Sequence, residues 1–307
     1  MSGLVALTGG TGFIGRAVLA NLMSQGWRVR ALTRRAAPVQ SNSVEWVRGD
    51  LGNRPALLKL VHDADAVIHC AGTVRGGSRQ DFTRVNVDGT INIVDAAVSQ
   101  KSPPRFLLIS SLAAREPELS WYALSKRAGE TALCERAGPM PWTSLRPTAV
   151  YGPGDRELRP LLAALRRGFL ILPANPGARF GLLHVHDLAG AVCAWLRRPE
   201  ADHGVFELDD GTPGGYDAGE LARIADAVWH RKVIAISVPA AALSMLAGVN
   251  LRLSRLLRYP PMLTPGKVRE VLHPDWICNN EPVCRALAWE PRIRLADALL
   301  DKALFPA

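Results

Sequence analysis

The sequence predicts an α/β protein in which a doubly wound parallel sheet is joined to a smaller, mainly helical C-terminal domain. Three observations predict it. Short apolar segments alternate with helical patterns of about 10–15 residues through the first half of the chain. A glycine-rich turn separates the first apolar segment from the first helical pattern. Past the midpoint this alternation stops, and prolines and glycines cluster at 146–154 and 173–181. The 307 residues are 48% hydrophobic and 21% charged. That composition supports a full core and excludes a disordered chain, a collagen-like fibre and a small disulfide scaffold.

The elements follow in order. Leu4–Thr8 is a short strand, and a helix runs from Phe13 to about Gln25. Strands are predicted at 28–32, 44–47 and 66–70. Val87, Ile91 and Val94 recur at helical spacing and predict a helix over 82–98. A fifth strand (105–110), a helix (120–136) and a sixth strand (143–146) complete the pattern. Alternation of this kind builds a parallel sheet with helices on both faces. Helices are predicted beyond it at 158–167, 185–196, 217–229, 266–272 and 295–304. Residues 1–155, with a returning segment near 180–200, form the first domain. Residues 156–307 form the second, interleaved with the first.

The charge balance of 37 Lys+Arg against 28 Asp+Glu, +9 overall, favours anionic partners. No compact basic cluster with interleaved aromatics occurs, so nucleic acid is not among them. Five dispersed cysteines in a chain this size argue against a disulfide framework and for a reducing, cytoplasmic compartment. The N-terminus has no basic leader followed by an apolar run, so no secretory signal is predicted. Residues 233–249 are nearly charge-free, with His230, Arg231 and Lys232 before them and Arg252, Arg255 and Arg258 after. Pro239 divides this run into a short strand and an apolar helix. The helix reads as a core or lid element, or as a surface touching membrane or a greasy substrate.

Residues 8–15 read Thr8-Gly9-Gly10-Thr11-Gly12-Phe13-Ile14-Gly15, between a strand and a helix. Small residues there let the backbone approach a pyrophosphate, and the helix N-terminus supplies N–H groups and partial positive charge. Gly9, Thr11, Gly12, Phe13, Ile14 and Gly15 are therefore candidate dinucleotide contacts. A carboxylate at the end of the second strand would hold a ribose 2′-OH. This chain has Arg34 and Arg35 there, which suit a 2′-phosphate and favour NADP over NAD. Asp50, beside Leu51 after the third strand, is placed to meet the adenine amino group or to cap its loop.

Tyr122 and Lys126 are four apart on a predicted helix and share a face. A nearby ammonium favours the phenolate, drawing a group with a free pKa of about 10 toward acid–base use. Ser110 and Ser111, at the end of the fifth strand, offer a hydroxyl to a substrate oxygen. His184, His186 and Asp187 lack the further ligands of a zinc site, so no metal is expected, and Asp187 reads as a helix N-cap.

Together these features resemble the extended branch of the short-chain dehydrogenase/reductase superfamily. That branch includes nucleotide-sugar epimerases and dehydratases, hydroxysteroid dehydrogenase-like proteins and dihydroflavonol reductase-like proteins. Further segments carry the resemblance: Gly49-Asp50-Leu51, His69-Cys70-Ala71-Gly72, Asn86-Val87-Asp88-Gly89-Thr90, Arg146-Pro147 with Val150–Gly154, and Leu183–Ala189. The resemblance implies a Rossmann-type fold, with Tyr122 as acid–base, Lys126 as its partner and Ser111 as the serine. It also implies a homodimer and cofactor contacts from Cys70, Ala71, Gly72 and Pro147. The expected activity is NADP-dependent interconversion of a secondary alcohol and a ketone on a hydrophobic small molecule. A nucleotide-sugar epimerase or dehydratase holding NAD and a non-catalytic cofactor-binding accessory protein are the alternatives.

Overall fold

The computed structural model describes residues 3–35, 43–173, 175, 177–198 and 204–304. Its centre is a parallel seven-stranded sheet. In chain order the first six strands are β1 (Leu4–Thr8), β2 (Arg28–Thr33), β3 (Val44–Arg48), β4 (Ala66–His69), β5 (Arg105–Ile109) and β6 (Trp142–Pro147). Across the sheet the order is β3-β2-β1-β4-β5-β6, with a seventh strand beyond β6. The chain therefore reverses direction of winding between β1 and β4, where a crevice opens at the carboxyl edge.

Side-chain alternation explains the two-sided cover. Val5 and Leu7 of β1, Ala66 and Ile68 of β4, and Leu107 and Ile109 of β5 enter one core. Ala6, Val67, Phe106 and Leu108 enter the other. The helices follow the same division. The helix α1 (Phe13–Ser24) packs on the first face. The opposite face is covered by α2 (Arg54–Val61), α4 (Gly89–Val98) and α5 (Trp121–Arg136). A short helix, α3 (Arg79–Phe82), runs through a π-helical turn (Thr83–Asp88) into α4. The sequence pattern resolved this as one helix from Phe82, and it missed α2, whose apolar stretch is only eight residues.

The second half has the predicted helices and also short strands that the pattern does not resolve. Three parallel pairs of short strands lie there. In chain order their strands are β7 (Ala149–Tyr151), β8 (Phe169–Pro173), β9 (Arg179–Phe180) and β10 (Leu182–His184), then β12 (Ile234–Val238) and β13 (Asp275–Trp276). β7 pairs with β10, β8 with β12 and β9 with β13. Between them β11 (Gly204–Leu208) crosses back to extend the main sheet beside β6. The helices are α6 (Arg159–Arg166), α7 (Val185–Leu196), α8 (Ala218–Trp229), α9 (Ala240–Leu257), α10 (Pro265–Leu272), α11 (Glu281–Leu287) and α12 (Leu295–Ala298). Strands of two to five residues are too short to show periodicity.

α7 packs against α1, and its apolar face reads as nearly continuous because ten of its twelve residues are buried. Its N-cap is His184, whose ring accepts from the His186 N–H at 3.4 Å, and not Asp187. Asp187 is drawn away: its Oδ2 accepts from the backbone N–H groups of Arg292 (3.0 Å) and Ile293 (2.8 Å). The carboxylate thus fastens the C-terminal segment to the helix, a use that no local sequence signal carries. All five cysteines are free thiols.

Candidate active site

The glycine turn is dictated by space. Gly9 has φ +74°, and its carbonyl accepts from the Gly12 N–H at 2.8 Å. A Cβ on Gly15 would lie 2.0 Å from that same carbonyl oxygen. Only glycine lets α1 start so close to the turn. Gly12 is the N-cap, no side chain caps the helix, and its first turn holds no acid. A cradle of N–H groups at a helix start, open at the exposed Thr11 and Gly12, fits a pyrophosphate. Phe13 and Ile14 form the first turn. The loop at Gly154 closes over it, so that a Cβ there would lie 3.4 Å from the Arg16 guanidinium.

The remaining predicted contacts surround the crevice. Arg34 and Arg35 are exposed just past β2, where the Arg35 N–H donates to Thr33 Oγ1 at 3.3 Å. Asp50 Oδ1 accepts from the Gly52 N–H at 2.9 Å, so at least one oxygen shapes its own loop. The Leu51 side chain packs where Gly89 has no Cβ. Cys70 continues β4, its N–H donating to the Thr8 carbonyl, and burial pushes its thiol up to about 12. Ala71 is held by Thr8 Oγ1 at 3.3 Å. Gly72 is exposed, and a Cβ there would sit 3.3 Å from Lys126 Nζ. Pro147 is buried at the end of β6.

Beneath these loops a polar chain runs through the core. Thr8 Oγ1 and His69 Nδ1 are 2.6 Å apart, and His69 Nε2 and Thr90 Oγ1 are 3.2 Å apart. Burial, with the Lys126 charge second, lowers His69 to about 3, so the ring is neutral. It links β1, β4 and α4 directly below the crevice.

Tyr122 and Lys126 both project from α5. The Tyr122 hydroxyl hydrogen-bonds with the Ser111 side chain, and its ring meets Phe82 edge-on at 6.2 Å. Ser111 caps a 3-10 turn, its Oγ accepting from the Ala113 N–H at 3.2 Å. Ser110 points inward instead, and its buried Oγ has no protein partner. Lys126 Nζ donates to the Ile109 carbonyl at 3.0 Å. Burial lowers the ammonium to about 8, opposed chiefly by the Glu130 charge. Spacing alone predicts that this lysine brings the phenol down. Burial dominates instead and pushes Tyr122 up to about 12, with the Ser111 hydrogen bond opposing it and the Glu270 charge adding to it. The hydroxyl is therefore protonated at neutral pH, the form that can donate.

Three residues that motif reading gave no role hold this pair. Asn86, buried in the π turn, donates to Ser125 Oγ at 2.9 Å and brackets Thr73, accepting its N–H (2.8 Å) and donating to its carbonyl (3.0 Å). Ser125 in turn donates to the Tyr122 carbonyl. A π turn inside a helix is itself a signal of such duty. Glu130, one turn beyond Lys126, receives Arg146 bidentately at 2.9 and 2.6 Å, so Arg146 braces α5 against β6. Glu270 of α10 accepts from Ser120, the N-cap of α5, and from Lys267 Nζ at 2.8 Å. Among the described residues no group of three or more His, Cys, Asp or Glu could hold a metal ion.

Comparison with known proteins agrees with this geometry. Residues 5–208 match the model of the NAD dependent epimerase/dehydratase family. A ceramide reductase from Caulobacter vibrioides is 38% identical over 289 residues, covering 93% of this chain and 89% of that protein. A 2-alkyl-3-oxoalkanoate reductase from Stenotrophomonas maltophilia is 27% identical, covering 96% and 97%. Among solved structures, MoeE5 in complex with UDP-glucuronic acid and NAD superposes with a TM-score of 0.75 at 21% identity, covering 97% of this chain and 96% of its own. That last likeness is one of fold. The strand order, the glycine turn and the match over two thirds of the length converge: the chain belongs to the NAD dependent epimerase/dehydratase family, and is an NAD(P)-dependent enzyme of the extended short-chain dehydrogenase/reductase kind.

Proposed function

We propose that this enzyme is an NADP-dependent oxidoreductase that interconverts a ketone and a secondary alcohol on a hydrophobic, long-chain molecule. The observation that carries the reading is the Tyr122 hydroxyl paired with Ser111 at the carboxyl edge of β5, one helical turn from Lys126. The cofactor supplies or accepts a hydride. Ser111 orients the substrate oxygen by hydrogen bonding. Tyr122 donates its proton to that oxygen as negative charge develops there, and takes it back in the reverse direction. Lys126, still largely cationic at neutral pH, favours the phenolate that remains. Two relatives named as reductases of a ceramide and of a 2-alkyl-3-oxoalkanoate support an apolar substrate. Cytoplasmic placement, a homodimer through α4 and α5, and contact with a membrane surface belong to the same reading.

The test is NADPH oxidation by the purified enzyme with 3-oxo substrates of increasing chain length. Turnover should rise with chain length, and UDP-sugars should not turn over. NAD retained through purification, with a UDP-sugar converted, would return the epimerase reading. The cofactor preference has its own test. Arg34→Ala should weaken NADPH binding about 10–100-fold, the worth of a charge-assisted hydrogen bond. NADH binding should barely change. Calorimetric titration with both cofactors reads the difference, and an equal loss for both removes Arg34 as the phosphate clamp.

A further inference from the structure

One surface of the second half is built against the ordinary rule for water-facing elements. β8 and β12 pair so that Phe169 lies opposite Ile234 and Ile171 opposite Ile236. These four side chains are exposed, while the intervening Leu170 is buried in the core below. β12 passes through Pro239 into α9, which buries Ala247 and Ser254 and exposes Met245 (67%), Leu246, Val249, Leu253, Leu256 (77%) and Leu257. At about 100° per residue the six exposed positions fall within roughly 120° of arc, one continuous apolar stripe. An amphipathic helix of a globular protein turns such a stripe inward; here it faces out.

The charge around the stripe has one sign. From Asp226 to Glu270 the chain contains no acidic residue between those two, and seven Lys or Arg. Arg252, Arg255 and Arg258 are exposed along and beyond the end of α9. Arg231 and Lys232 are exposed at the start of β12, and a Cβ on Gly168, at the head of β8, would touch Arg231. A second copy laid on this face would bring cation to cation, with no carboxylate between Asp226 and Glu270 to answer it. An apolar stripe with a cationic fringe matches instead the acyl and headgroup layers of an anionic bilayer.

We propose that the β8–β12 ribbon and α9 form a docking face for an anionic lipid membrane, on which the enzyme lies as a peripheral protein. The face adjoins the site. α9 packs on α10, which carries Glu270, and a Cβ on Gly77 would lie 3.6 Å from Ser254 Oγ. Gly77 leads into α3, whose Phe82 touches Tyr122. The docking face is thus joined to Tyr122 through α10 on one side and through Gly77 and Phe82 on the other. This deepens the long-chain reading above, but docking itself requires no turnover.

Flotation of the full chain with vesicles tests it. The protein should float with phosphatidylcholine and phosphatidylglycerol in equal parts, remain below with phosphatidylcholine alone, and be released by high salt. Arg252→Gln with Arg255→Gln should weaken binding about 30-fold. Leu246→Ser with Leu253→Ser and Leu256→Ser should abolish it, with NADPH affinity and the circular dichroism spectrum unchanged. Failure of the wild type to float with the anionic vesicles overturns the proposal. So does equal flotation of the serine variant, or conversion of a wild-type dimer to monomer by the serine substitutions. Flotation without reduction of any long-chain ketone upholds the docking face and removes only the substrate reading.

Discussion

Tyr122→Phe is expected to lower turnover about 10²–10⁴-fold, the usual contribution of a positioned acid–base group. Cofactor affinity should stay within about twofold, and the melting temperature should not fall. The hydroxyl's hydrogen bond is to Ser111, while the ring's packing against Phe82 survives the change. The loss should appear in kcat with little movement in KM, because the interaction made only in the transition state is the one removed. Single-turnover hydride transfer measures it directly, and undiminished turnover in the variant would sink the assignment of Tyr122. The pH profile gives a second readout. Lys126, lowered to about 8 by burial, is charged below that value and neutral above it. Ketone reduction should therefore hold level at lower pH and decline as pH rises through about 8. Lys126→Met should lower the plateau and erase that limb.

Gly15→Ala is expected to be the most damaging single methyl in the chain. The new carbon would lie 2.0 Å from the Gly9 carbonyl oxygen and 2.6 Å from its carbon, so the turn and α1 must separate. Overpacking of this kind costs about 1–3 kcal/mol, and the displaced helix start no longer presents its N–H groups. NADPH binding should vanish from calorimetric titration while the melting temperature drops by several degrees. Gly12→Ala separates the two effects. Gly12 has φ −81° and ψ 177°, which alanine adopts freely, and a Cβ there meets only the Gly9 oxygen at 3.2 Å. That variant should keep its melting temperature and lose cofactor affinity, because the methyl enters the cradle. Full affinity in Gly12→Ala would remove the turn from the cofactor site.

The features readable from sequence are those whose cause is local. Gly9 and Gly15 announce a turn because backbone angle and close approach are properties of a few consecutive residues. Tyr122 and Lys126 share a face because a helix repeats every 3.6 residues. The choice of Ser111 over Ser110 was less local. The two differ in which way the chain turns after β5, one reaching Tyr122 and the other facing inward. What escaped depends on distant partners. Nothing near Arg146 in sequence points to Glu130, and nothing near Ser120 points to Glu270. Asp187 looked like a cap because caps are short-range; its actual partners lie more than 100 residues on. The expectation for the Tyr122 phenol failed for the same reason. Spacing reports which charge is near, while the amount of surrounding protein, which decided the direction, comes from elements across the fold.

The contact between Ser120 and Glu270 spans 150 residues of chain. During synthesis at about 5–20 residues per second, that separation is roughly 8–30 s of elongation. Through nearly all of that interval the growing chain already contains β1, the glycine turn, Tyr122 and Lys126, yet the helix bearing Tyr122 still lacks the carboxylate that holds its first turn. A premature stop, or proteolysis between α9 and α10, would release a product that retains the glycine turn but lacks the contact that holds the start of the Tyr122 helix. If Tyr122 acts as proposed, enzymatic competence is a late event in the life of each molecule, and activity should report arrival of the final segment as well as the chemistry of the first.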